Sequence, residues 1–282
     1  MNFIRALAAG GCADLNHPEY WRLDFVRDEN LLKEYQAMVD ALRNSIGFVE
    51  SVMGSGDSEI SRVDFYCSHE GLHLEYEAAQ TRKVPRRDGW YNLATHMPWI
   101  GERTRGLDGA HIEYFRGLVN PIGVKISQAI DPSELVSLVK VLNPEKEPGR
   151  LSLIHRMGNS DISDSLPKLV EAVRESGGEV MWICDPMHGN TESTAAGLKT
   201  RNFDNILGEL QQAMDIHRAC GSRLGGVHFE LSGDDVTECI GGACGLTESD
   251  LSTAYTTQVD PRLNAGQALE MAMLIAKKMQ GS

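Results

Sequence analysis

The chain has 282 residues, 41% of them apolar and 24% charged, which suits a folded globular protein with one large core or two small ones. Its formal net charge of −13 argues against nucleic-acid and anionic-membrane partners, and no run of about 18 apolar residues indicates a membrane helix. The six cysteines form no CxxC pair, and the N-terminus lacks the apolar region of a signal peptide. We therefore expect free thiols and a cytoplasmic location.

Residues 28–53 are predicted to form an amphipathic helix, because apolar residues recur three and four positions apart from Leu31 to Ile46. Beyond this segment, short β-rich runs alternate with amphipathic stretches. The predicted strands are 62–68, 95–101, 121–127, 150–156, 179–185 and 225–231. The predicted helices among and after them lie within 131–142, 163–178, 203–221 and 260–279.

Apolar strands about 30 residues apart, with a helix in each gap, predict an α/β fold built of βαβ units around a parallel sheet. A dinucleotide-binding fold is disfavoured because no GxGxxG follows the first strand. A (β/α)8 TIM-type barrel instead places reactive residues just past the C-terminal ends of several strands, as found here. We expect a single barrel domain over 1–282, with about six of its eight strands and an inserted helical segment at 28–53.

Three candidate metal ligands, His188, Glu230 and Asp260, follow the ends of late strands. An imidazole and two carboxylates suit a divalent ion such as Mn, Co, Fe or Zn. The alternative is that His188 only hydrogen-bonds a loop. His228, two residues before Glu230, is either a supporting partner of the metal ligands or a core histidine.

Three cationic residues, Arg103, Lys125 and Arg156, also lie at different strand ends, and Glu102 precedes the first of them. Guanidinium and ammonium groups converging on one edge suit a small substrate with two anionic groups. The alternative is a lattice of ion pairs that braces the edge of the sheet, with Glu102 as one of its members.

Several segments in this order resemble the class II 3-deoxy-D-arabino-heptulosonate 7-phosphate (DAHP) synthases, which open the shikimate pathway to the aromatic amino acids. The segments are SHEGLHLEYE, WIGERTRGLDGAHIEYFRGLVNPIGVKI, GRLSLIHRMGN, CDPMHGNT, GLKTRNFDNI, GGVHFELSGDDVTECIGG and DPRLN. The resemblance implies a (β/α)8 barrel, a divalent metal such as Mn or Co, and the substrates phosphoenolpyruvate (PEP) and erythrose 4-phosphate.

Residue by residue, the resemblance implies that His188, Glu230 and Asp260 are metal ligands. It also implies that Glu102, Arg103, Lys125 and Arg156 bind PEP, with Lys125 and His188 in catalytic roles. These assignments agree with the metal site and the anion site inferred from the residues alone.

The sequence also departs from this family. The family's N-terminal portion with the first barrel strands, its cysteine ligand in a GGDCAE-like segment and a further PEP-binding arginine have no counterpart here, and Cys12 in GGCADL matches a different segment. We therefore expect an incomplete barrel that lacks its first strands and turns over little by itself. We expect the chain to associate, for example as a homo-oligomer, to aggregate, or to cover its open sheet edges with its N-terminal helices. Two function classes stay open: an aldol-type synthase, or a non-catalytic remnant that keeps the metal and anion site.

Overall fold

The computed structural model describes residues 6, 17–53 and 64–280. The chain divides into two compact units. One comprises Met1–Tyr66 together with Leu231–Ser282, and the other comprises Cys67–Glu230. Cys12 lies outside the described residues.

A six-stranded parallel sheet forms the centre of the Cys67–Glu230 unit. Its strands, in spatial order, are β1 (Ser68–Glu70), β4 (Met97–Ile100), β5 (Ile122–Ile126), β6 (Leu151–His155), β7 (Met181–Cys184) and β10 (Leu224–Val227). Every residue of β5 and β6 is buried, as expected for strands covered on both faces. The predicted α/β fold with a parallel sheet is confirmed, whereas closure into a barrel stays a prediction.

The position predicted for the first strand, 62–68, is wrong. The strand begins at Ser68, where the predicted run ends, and pairs with Met97–Trp99 of β4. Residues 64–67 have no strand structure, with Phe65 and Tyr66 exposed, and 62–63 lie outside the described residues. The aromatic and β-branched residues upstream suggest a strand locally, but the strand starts only where a partner lies beside it.

Five helices accompany this sheet: α2 (Leu74–Gln80), α3 (Ala110–Arg116), α4 (Pro132–Leu142), α5 (Ile162–Glu175) and α6 (Phe203–Ala219). Their starts follow ordinary capping chemistry: Asp131 accepts the backbone N–H of Ser133 at 2.8 Å, and Asn202 accepts that of Asp204 at 2.8 Å. Helix α5 packs against α4 and α6. The helices predicted at 131–142, 163–178 and 203–221 are therefore confirmed.

Two short antiparallel hairpins complete the unit. One joins β2 (Thr81–Arg82) to β3 (Tyr91–Asn92), and the other joins β8 (Thr191–Ser193) to β9 (Lys199–Arg201). The second hairpin lies between β7 and α6 in the chain, and it carries Arg201 to Glu230.

The other unit contains α1 (Glu29–Met53) and α7 (Ala265–Gln280), both predicted from the sequence. Asp28 caps α1 by accepting the N–H groups of Asn30 and Leu31 at 2.9 and 2.8 Å. Tyr35 is buried in α1 and donates a hydrogen bond to Glu270 of α7 at 3.2 Å. One apolar face of α1 thus packs within its own unit. Among the described helices, none is long and apolar enough to cross a membrane.

Candidate active site

Charged side chains from four strands meet at the C-terminal edge of the sheet in the Cys67–Glu230 unit. Lys125 is near the end of β5, Arg156 follows β6, Asp185 and His188 follow β7, and Glu230 follows β10. Parallel strands end at the same edge, so residues far apart in the sequence become neighbours there.

Asp185 is the centre of this cluster. It is fully buried and forms an ion pair with Nζ of Lys125, which is 3% exposed. Its carboxylate also lies 2.7 Å from Nδ1 of His188 and accepts the backbone N–H groups of Met187 and His188 at 3.1 and 3.3 Å. Pro186 and these two N–H bonds fold the chain back over the carboxylate, so that the turn after β7 presents the His188 ring.

The charges around Asp185 and His188 stabilise each other. Burial alone would raise the pKa of Asp185, but the hydrogen bond from His188 and the charge of Lys125 hold it below its ordinary value. Burial alone would lower the pKa of His188, but its hydrogen bonds to Asp185 and Glu230 raise that pKa to about 9. Burial lowers the pKa of Lys125, although Asp185 opposes this shift. The Nζ of Lys125 also lies 5.1 Å from the centre of the Trp99 ring.

Glu230 joins His188 on the other side. Its Oε1 is 3.3 Å from Nε2 of His188, and its other oxygen forms an ion pair with the fully buried Arg201 of β9. Arg201 also donates from Nε to the hydroxyl of Thr191 at 2.9 Å, across the β8–β9 hairpin. Burial would raise the pKa of Glu230, but His188 and Arg201 lower it to about 2.

His188 and Glu230 have the geometry of two ligands of one divalent ion. Ligand atoms bound to the same ion at 2.0–2.2 Å lie about 3–3.5 Å apart, which fits the distance of 3.3 Å between Nε2 and Oε1. Asp185 holds Nδ1, so Nε2 is the nitrogen that faces Glu230, as in a carboxylate–histidine–metal arrangement. Asp260 belongs to the other unit, and its role as a third ligand stays a prediction.

Arg156 approaches the same cluster through the turn after β7, since its Nη2 donates to the carbonyl oxygen of His188 at 3.0 Å. Its Nε is buried without a hydrogen-bond partner among the described residues. Lys125 and Arg156 lie at the ends of adjacent paired strands, since Ile126 of β5 pairs with His155 of β6. Two of the cations predicted to bind an anion are therefore neighbours.

Glu102 and Arg103 lie in a short 3-10 turn, Glu102–Thr104, after β4. Glu102 accepts hydrogen bonds from Ser127, just past β5, at 2.8 Å and from Arg105 at 3.1 Å, and Arg105 in turn pairs with Glu134. Glu102 is thus a member of an ion-pair lattice, which is the alternative raised above for this residue. Arg103 is exposed.

His228 is half-buried, and its ring packs edge-on against Trp99, with centroids 5.9 Å apart. Burial lowers its pKa to about 4, so the imidazole is neutral at physiological pH. It borders the cluster rather than joining its hydrogen bonds, and its supporting role stays a prediction.

Sequence reasoning missed two members of the site, Asp185 and Arg201, and one buried residue behind it, Glu209. Glu209 of α6 is fully buried, accepts the N–H of Met157 at 2.8 Å and accepts Nδ2 of Asn190 at 2.7 Å. It therefore ties together the turns that carry Arg156 and His188. Asp185 and Arg201 both stand inside quoted segments, CDPMHGNT and GLKTRNFDNI. For Asp185 the available signal was a charged residue directly after a buried strand, whereas Arg201 had no such signal.

The profile of the Class-II DAHP synthetase family matches residues 1–276 of the chain. The chain belongs to this family. It is 45% identical to the phospho-2-dehydro-3-deoxyheptonate aldolase of Neurospora crassa and 44% identical to that of Streptomyces coelicolor; each match covers 98% of the chain. The family resemblance seen in the sequence is thereby confirmed.

The chain spans 61% of the length of these two curated relatives. A solved structure, the phospho-2-dehydro-3-deoxyheptonate aldolase of Francisella tularensis SCHU S4, is 16% identical, with a TM-score of 0.41 over 66% of this chain and 55% of that one.

Proposed function

We propose that this DAHP synthetase family member carries the metal- and PEP-binding part of a DAHP synthase centre. The reaction condenses PEP with erythrose 4-phosphate and releases phosphate, as the first step of the shikimate pathway. The observation that supports this most directly is the connected cluster of Lys125, Asp185, His188 and Glu230 at one sheet edge, with Arg156 against it. In this proposal His188 and Glu230, as metal ligands, lie next to the two cations Lys125 and Arg156.

Lys125 and Arg156 are the residues that we assign to PEP, together with Arg103 at the neighbouring strand end, whereas Glu102 takes part only by bracing that strand end through Arg105 and Ser127. PEP has a phosphate and a carboxylate, and a guanidinium fork beside an ammonium group matches two such anions. Asp185 balances Lys125 while no anion is bound and fixes the position of Nζ. Because the ammonium group is already held in place, the binding of phosphate causes little further loss of side-chain conformational entropy.

His188 and Glu230, with Asp260 as the third ligand implied by the family resemblance, would hold a divalent ion such as Mn²⁺ or Co²⁺. When bound, the ion supplies a Lewis acid for the aldehyde oxygen of erythrose 4-phosphate. The C3 carbon of PEP attacks that aldehyde carbon, water adds at C2 of PEP, and the C2–O bond to phosphate breaks. In this scheme Lys125 donates its N–H groups to the departing phosphate, and His188 holds the metal with a ring fixed by Asp185.

The chain by itself is proposed to be a poor catalyst. The family resemblance implies a cysteine ligand and another PEP-binding arginine in a segment with no counterpart in this sequence. Loss of one transition-state contact of this kind costs about 10²–10³-fold in rate, and loss of two costs several orders of magnitude.

The test measures PEP consumption with erythrose 4-phosphate and Mn²⁺ or Co²⁺, using a sample whose mass confirms residues 1–282. We expect negligible turnover alone and a rise of at least about 100-fold when the N-terminal portion of the Streptomyces coelicolor relative is added or fused. The His188→Ala variant should give no such rise. Turnover near about one per second by residues 1–282 without added protein would contradict the proposed slow turnover. PEP binding without turnover in either sample would favour the non-catalytic remnant.

A further inference from the structure

A second cluster of potential metal ligands lies within the Cys67–Glu230 unit. It consists of His155 at the end of β6, Cys184 at the end of β7 and Glu209 of α6, all fully buried. One donor atom from each lies within 4.8 Å of the other two. Adjacent residues of a strand point to opposite faces, so His155 and Cys184 face α6 and point away from the Arg156 and Asp185 that follow them. This cluster is therefore separate from the candidate active site.

His155 is the residue that most needs a partner. Both of its ring nitrogens are buried without a hydrogen bond to any described residue. A neutral imidazole has one donor and one acceptor nitrogen, and buried polar groups in native proteins are almost always satisfied. The ring of His217 in α6 lies 5.6 Å from that of His155, and its Nε2 is likewise buried and unpartnered among the described residues. Two such imidazoles beside a thiol and a carboxyl group can all donate electron pairs to one metal ion, which indicates a metal site.

We propose that His155, Cys184 and Glu209 bind a divalent ion of the zinc class. Imidazole nitrogen, thiolate sulfur and carboxylate oxygen are the three donor types that zinc takes in proteins, and a thiolate disfavours Mg²⁺ and Ca²⁺. The ion would connect β6, β7 and α6 just below the turns that carry Arg156 and His188. Its role is to hold these three elements together, and it is separate from the metal of the proposed reaction.

The charge balance agrees with a buried ion. Burial raises the pKa of the Cys184 thiol well above its ordinary value and that of Glu209 to about 7, although both oxygens of Glu209 also accept N–H groups, from Met157 and Asn190. A divalent ion favours the charged forms of both groups, and any proton that they hold leaves for solvent as the ion enters. His155 binds as the neutral ring that its burial already favours, with a pKa lowered to about 3. The exchange thus avoids the uncompensated charge that burial penalises.

The test uses the full chain produced in cells supplied with Co²⁺, because a buried site has to be filled while the protein folds. Cobalt bound to a thiolate gives a strong near-ultraviolet charge-transfer band, and X-ray absorption on a zinc-loaded sample should show a sulfur neighbour at about 2.3 Å. We expect both signals in the wild type. Cys184→Ser should abolish the cobalt band and remove one equivalent of bound metal, whereas Cys239→Ser, a change at another fully buried cysteine, should retain both.

The His188→Ala variant separates this ion from the proposed active-site metal: it should keep the cobalt–thiolate band. A band that survives unchanged in Cys184→Ser, or that disappears in Cys239→Ser alone, would overturn the assignment. If Cys184→Ser does not fold, the wild-type absorption spectrum still decides, because a metal neighbourhood without sulfur, or the absence of any bound metal, also overturns the assignment.

Discussion

Replacing Asp185 by Asn removes one negative charge from the middle of the candidate site while keeping the size of the side chain. Asp185 is fully buried, Lys125 is 3% exposed, and the two form an ion pair. Removing one partner of a buried pair leaves the other charge uncompensated and costs about 3–5 kcal/mol. The Asn side chain still accepts the backbone N–H groups of Met187 and His188, so the turn itself should persist. We therefore expect Asp185→Asn to lower the free energy of unfolding by about 3–5 kcal/mol.

A double-mutant cycle assigns this cost to Lys125. Urea unfolding followed by circular dichroism at neutral pH, with a chelator present, gives the stability of the wild type, Asp185→Asn, Lys125→Met and the double variant. In the Lys125→Met background the buried ammonium group is absent, so the cost of Asp185→Asn should shrink by about 2 kcal/mol or more, and the remainder comes from the contact with His188. Equal costs in both backgrounds, or a single-variant cost below about 0.5 kcal/mol, would refute the role given to this pair.

Three further predictions concern metal binding, PEP binding and acid stability. His188→Ala should weaken Mn²⁺ or Co²⁺ binding in calorimetric titration by about tenfold or more. The control Lys140→Ala, a change at an exposed residue, should bind the ion as the wild type does. Equal affinity in His188→Ala and the wild type would contradict the ligand assignment. Arg156→Ala should weaken PEP binding by about ten- to a hundredfold, the equivalent of about 1.5–3 kcal/mol, with Lys140→Ala again unchanged. Glu238 is buried, which alone would raise its pKa, but hydrogen bonds from Arg262 and nearby backbone lower it to about 2. The ionised Glu238 therefore contributes its full stabilisation above pH about 4.5 and loses it as the pH falls towards 2. Between these pH values, the free energy of unfolding of the wild type, measured in urea, should fall by about 2 kcal/mol more than that of Glu238→Gln. This figure is discounted because Arg262 is partly exposed.

The regular elements follow from local patterns in the sequence. The 3.6-residue period predicts α1 and α4–α7, because one face of each helix has to be apolar wherever it packs. Apolar runs of four to seven residues predict the five strands from β4 to β10 in the sheet, and their parallel order follows from the helices in the gaps. The first strand escapes this reasoning, since its start at Ser68 depends on where β4 lies and not on the residues before it.

The candidate site divides in the same way. The sequence by itself determined that Lys125, Arg156, His188 and Glu230 stand at strand ends, because parallel strands share one edge. It did not reveal how their charges are balanced. Asp185 reads as an ordinary residue before a proline, yet it is the carboxylate that joins Lys125 to His188.

Arg201 shows why only the tertiary structure decides such pairings. In the sequence it stands in a polar stretch, Lys199–Arg201, typical of a solvated hairpin, and nothing local indicates that its side chain is fully buried. It becomes buried because β9 pairs with β8 and brings it against Glu230, 29 residues further along the chain. Hydrophobic periods are set by neighbours along the chain, whereas the partner of a buried charge is set by proximity in space, which the fold alone supplies.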